Sequence, residues 1–71
     1  MVEAGLWRVA ERVCTTAELE ALRTREALWR LGAPAGYRSV ARALGISPTT
    51  ARDHIESAER KLGRVLTEEH G

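Results

Sequence analysis

Four polar side chains between positions 49 and 56 have the types to do chemistry on a partner: Thr49, Arg52, Asp53 and Glu56. Those types suit the edges of nucleobases. An arginine pairs with guanine through two hydrogen bonds, a carboxylate accepts from the cytosine amino group, and a threonine touches a thymine methyl or a phosphate. At helical spacing the four project from the side opposite Ala51 and Ile55. Arg38 and Arg42, four residues apart, share a face of the preceding segment; they suit phosphate clamping or a surface ion pair of small value. Tyr37 either donates a hydrogen bond to a phosphate or covers the edge of the core. Catalysis has nothing to rest on, because no nucleophile–base pair and no glycine-rich phosphate loop stands out, so an enzyme is not expected. With two histidines and one cysteine, no spacing suits zinc, and neither a metal nor any other cofactor is expected. His54 borders the inner stripe and is expected to pack there. Cys14 is expected to pack as a small apolar residue.

These side chains need two short helices held at a fixed angle. Val40, Ala41 and Leu44 form an apolar stripe on the first, and Ala41 is small enough to let the second approach closely. Gly45 stands where the chain needs a left-handed residue to leave that helix, and Ile46 plugs the corner. Ser47 can cap the second helix, and Pro48 fits its first position, where a missing N–H is harmless. Ala51, Ile55, Ala58 and Leu62 then run at i, i+4, i+7 and i+11 along an inner face. This is a helix-turn-helix over residues 37–56, a unit whose second helix enters the major groove of DNA.

Upstream, Thr15 and Glu18 fit a capping box, and Gly32-Ala33-Pro34-Ala35-Gly36 is a breaker. Leu6, Val9, Ala10 and Val13 mark an amphipathic helix that Gly5 weakens at its start. Between the breaks, Leu19, Leu22 and Trp29 share one face and Ala21, Leu28 and Leu31 another. A helix apolar on two sides reads as the central element, packed against both neighbours. The expected fold is an all-α domain of four helices, about 2–14, 17–31, 37–44 and 48–64, with a frayed tail. All of residues 1–71 form one domain, because a chain this small supports only one compact core. The 44% hydrophobic content includes only 4% aromatic residues and no Phe, which favours close-packed helices over strands.

The net charge of +1 hides a gradient: residues 1–37 balance five Arg against five Glu, residues 38–64 carry +3, and residues 65–71 carry −2. The excess positive charge therefore falls on the helix-turn-helix, where phosphates would need it. Arg60 and Arg64 suit the C-terminal part of a helix without any ligand. A lone cysteine requires no oxidising compartment, no run is long enough to span a membrane, and a cytoplasmic protein is expected.

The run from Gly36-Tyr37-Arg38-Ser39-Val40-Ala41 to Leu44-Gly45-Ile46-Ser47 resembles region four of bacterial sigma factors, where Ser-Tyr-Arg-Glu-Ile-Ala and Leu-Gly-Ile-Ser are typical. Thr50-Ala51-Arg52-Asp53-His54-Ile55, followed by Lys61-Leu62-Gly63, is similar to LuxR/GerE-type regulators, with their Thr-Val-Lys-x-His-Leu and Lys-Leu-Gly. The resemblance covers residues 36–63 and implies a wingless tetrahelical DNA-binding domain of bacterial or phage type. It adds Thr50 and Lys61 to the DNA-contact candidates. Ser39, Gly36 and Ala51 depart from the usual Glu, Ser and Val or Ile. LuxR-type domains carry a further helix through which several dimerise; eight residues follow Gly63 here, so that route is not expected.

The expectation is a sequence-specific, double-stranded DNA-binding transcriptional regulator, with 48–64 as recognition helix and a homodimer or RNA polymerase as protein partner. One module reads a half-site of a few base pairs, which gives too little affinity alone. Two alternatives keep the fold: an interaction module docking on polymerase or a regulator, and a packaging protein of the phage small-terminase kind. In the first, Leu6 and Trp7 form the partner surface.

Overall fold

The computed structural model of the chain describes residues 4–70, with side chains from Gly5 to Val65 and of Thr67. It contains α1 (Ala4–Val13), α2 (Thr16–Arg30), α3 (Tyr37–Leu44) and α4 (Pro48–His70), and no strand among the described residues. The fold is the expected all-α arrangement of four helices. Residues 2 and 3, the expected start of the first helix, lie outside the described residues.

Each helix boundary has a local cause. At α2 the Thr15 N–H donates to Glu18 Oε1 at 2.7 Å and the Glu18 N–H donates to Thr15 Oγ1 at 3.2 Å, so the expected capping box is closed in both directions. Two helices end on a left-handed glycine, Gly32 at φ 72° and Gly45 at φ 69°. After each, an N–H reaches back five residues: Ala33 to the Leu28 carbonyl at 2.9 Å and Ile46 to the Ala41 carbonyl at 3.0 Å. At the start of α4 the Thr50 N–H donates to Ser47 Oγ at 3.1 Å, as the sequence pattern predicts.

The core lies where α2, α3 and α4 meet. Ala21, Val40, Ala41, Ala51 and Ile55 form a buried cluster, with Leu28, Leu44 and Ile46 packed against it. Ala10 and Ala58 are also fully enclosed. Small side chains let the helix axes come close, so the core volume rests on few large groups; Ile55 and Val40 are the largest fully buried ones. The expected inner stripes of α3 and α4 are both observed.

Three expectations are corrected. The central element is α4, not the second helix: α4 packs on α1, α2 and α3, whereas α2 packs chiefly on α3 and α4. Leu31 does not join the core face of α2. It follows the last helical residue, where Gly32 turns the chain, and is 80% exposed. The last helix also does not stop at residue 64 with a frayed tail. No breaker follows Gly63, residues 64–70 have ordinary helical preferences, and Thr67 Oγ1 donates back to the Gly63 carbonyl at 2.8 Å. The 23 residues of α4 therefore span about 35 Å, close to the 37 Å longest dimension of the molecule.

Candidate nucleic-acid interface

The joint between α3 and α4 leaves one end of each helix open to solvent. Burial of Val40 and Ala41 against Ala51 and Ile55 turns Tyr37 and Arg38 outward at the start of α3, and Thr49 and Arg52 outward at the start of α4. These four residues and Pro48 line a shallow open cleft of about 180 Å³. The structure thus brings together four of the side chains that the sequence singles out, from positions 15 residues apart. Pro48, read from sequence only as a helix starter, is the fifth wall. Its rigid ring and absent N–H shape the entry to α4.

Arg38 and Arg42 are exposed on one face of α3, and neither pairs with an acidic group among the described residues. Arg52 is half exposed, and its Nε lies 3.9 Å from Glu56 Oε1, one turn along α4. Such an exposed i, i+4 pair contributes about 0.3–0.5 kcal/mol and leaves the guanidinium free to exchange its partner. Asp53 and Glu56 are exposed as expected. The face therefore carries three arginines and two carboxylates within two turns of each helix start. The α3 N-terminus has Gly36 as cap with no side-chain hydrogen bond, and no acidic residue in its first turn. Its N–H groups add to the positive character of the cleft.

Two candidates stand elsewhere. Thr50 is half-buried against the turn: its hydroxyl accepts from Ser47 Oγ at 2.8 Å, so it supports the α4 cap. Lys61 lies more than two turns beyond Arg52, and its Nζ donates to Glu18 Oε1 at 2.7 Å. Glu18 is only 5% exposed. Burial alone would push its carboxyl up, but hydrogen bonds from Lys61, Ser57 and the Thr15 N–H, with the Lys61 charge, outweigh that and bring its pKa from 4.5 to about 2. Sequence marks Glu18 as a capping residue only; its bond to a lysine 43 positions away has no local signal.

Leu6 and Trp7 are half-buried and sit apart from the α3–α4 face, on a cleft between α1, α2 and α4. Arg23 lies over the Trp7 ring at 5.9 Å and is held by Glu11 at 2.9 Å. Arg25 stacks on Trp29 at 4.3 Å and reaches Glu59 on α4 at 3.4 Å. His54 is half-buried beside the core stripe. Cys14 is half-buried; burial, then the Glu18 charge, push its thiol up, which disfavours the reactive thiolate. Among the described residues no group of three or more His, Cys, Asp or Glu could hold a metal, and no helix is long and apolar enough to cross a membrane.

Comparison with known proteins agrees with this geometry. Residues 34–64 match a family model described as an HTH DNA-binding domain. The match takes in the loop before α3, α3 itself, the turn and most of α4. No curated protein and no solved structure matches the chain. The matched segment supports DNA binding as the general activity of the unit.

Proposed function

We propose that the chain is a sequence-specific regulator of transcription that binds double-stranded DNA. The N-terminal end of α4 enters the major groove with Arg52 toward a guanine and Thr49 toward a thymine methyl or a phosphate. Arg38 and Arg42 clamp the backbone of the flanking strand and fix the register of α4. Asp53 and Glu56 accept from cytosine amino groups and disfavour bases that offer only acceptors there. The reading rests on one observation above the rest: the cleft that gathers Tyr37, Arg38, Thr49 and Arg52 at the start of α4. The sigma region four and LuxR-type resemblances point the same way, because both place this helix in the groove.

Affinity measured against salt tests the proposal. Binding to a duplex should weaken steeply with added salt, with a log–log slope of about −0.9 per phosphate neutralised. Removal of Arg38 should make that slope shallower by about one, whatever the DNA sequence. A salt-independent affinity for duplex would refute the proposal.

A further inference from the structure

The α1–α2 side of the molecule carries apolar surface that the DNA reading does not use. Trp29 is 51% exposed and Leu31 is 80% exposed, in a chain whose core is built mostly from alanine. Trp7 forms a ridge with a cleft on either side. One cleft, about 180 Å³, runs between α1, α2 and α4, with Leu6, Trp29 and Leu62 in its walls. The other, wider and about 480 Å³, runs toward the end of α2, with Ala27 and Leu31 in its walls. Knobs and hollows therefore occupy the same patch.

The charge of this patch selects among occupants. The ionic groups lining the two clefts are Arg23, Arg25 and Arg30 against Glu11, Glu26 and Glu59, three of each sign. They are interleaved rather than segregated. Net-neutral surface repels a polyanion no less than it attracts one, so nucleic acid does not fit. A strongly acidic or basic peptide would meet as many like charges as opposite ones. A surface that carries both signs, and both knobs and hollows, is complementary to a copy of itself turned through a two-fold axis. Exposed tryptophan and arginine are also the residue types that dominate protein interfaces.

We propose that two copies of this chain pair through the α1–α2 face, with Leu31 and Trp29 of each copy entering the clefts that flank Trp7 of the other. The face shares no residue with the α3–α4 cleft, and Glu59 lies about 10 Å along α4 from Arg52. Pairing thus leaves both recognition ends open. The consequence for affinity, two linked half-sites in place of one, rests on the DNA reading above; the pairing itself does not.

Sedimentation equilibrium of the full 71-residue chain, without DNA, tests it. The native chain should sediment as a dimer, at twice 7.8 kDa. Leu31→Glu, at a position with no packing role in the fold, should weaken pairing by more than about 10-fold while leaving helical circular dichroism unchanged. Trp29→Glu should act in the same direction, and Arg52→Ala should pair like the native chain. A native chain that stays monomeric through the hundred-micromolar range overturns the proposal. So does a Leu31→Glu variant that is folded and pairs as tightly as the native chain. Native pairing combined with no duplex binding would instead count against the DNA reading and leave the pairing face standing.

Discussion

Helix α4 carries two acid–base pairs of the same chemistry and opposite character. Near its middle, Lys61 meets a carboxylate that is 5% exposed, at 2.7 Å, with further donors from Ser57 and Thr15. Near its start, Arg52 meets Glu56 at 3.9 Å with both side chains about half exposed. The first pair is bound into the fold and ties α4 to the start of α2. The second is loose and costs little to open. A side chain that must leave its partner to read a base belongs to the second kind. One helix therefore divides into an end that can exchange partners and a middle that cannot.

The largest effect expected from this contrast is on stability at Glu18. Glu18→Ala removes half of the capping box and leaves the Thr15 N–H and the Lys61 ammonium without their acceptor. It should destabilise the fold by about 2–3 kcal/mol in chemical denaturation. Arg52→Ala should cost less than about 0.5 kcal/mol in the same assay. Its effect lies in binding, where loss of a bidentate base contact should weaken a selected duplex by about 1–3 kcal/mol and relax preference at one position. Equal destabilisation by the two variants would erase the distinction between the pairs.

Acid should act on the buried pair alone. The folded pKa of Glu18 is lowered to about 2 from the ordinary 4.5. Its stabilising contribution is therefore complete above pH 4.5 and is lost as pH falls toward 2. Melting temperature should fall across that window, and Glu18→Gln should flatten the fall. Gly45→Ala, at φ 69°, should cost about 1–2 kcal/mol through left-handed strain without touching either pair. The smallest effect is expected from Glu56→Gln: under about 0.5 kcal/mol in stability, with a change confined to duplex preference.

Much of this was legible in the residues. Local chemistry at Thr15, Gly45, Ser47 and Pro48 marks where helices begin and end, because caps and left-handed glycines act within a few residues. The stripe Ala51, Ile55, Ala58 is equally local. The reversal in rank between the second and last helices was not legible, because which helix lies in the middle depends on contacts between distant segments. Leu31 looked like a core residue because it keeps the helical period; the chain leaves the helix just before it. At the candidate site, spacing placed Arg52 and Thr49 on one face with Arg38 nearby, and the structure joins them at one cleft. Spacing and resemblance also placed Lys61 among the DNA-contact candidates. Only a residue 43 positions away reveals its tie to α2, and sequence periodicity carries no such long-range term.

Selection of bound fragments from a random duplex library, run in parallel with the native chain and with Arg52→Ala, addresses the central claim most directly. The account predicts that the native chain enriches one short motif containing a guanine, and that the folded Arg52→Ala variant loses the preference at that guanine. Failure of the native chain to enrich any sequence, or enrichment of the same motif with the same guanine preference by the variant, would contradict it.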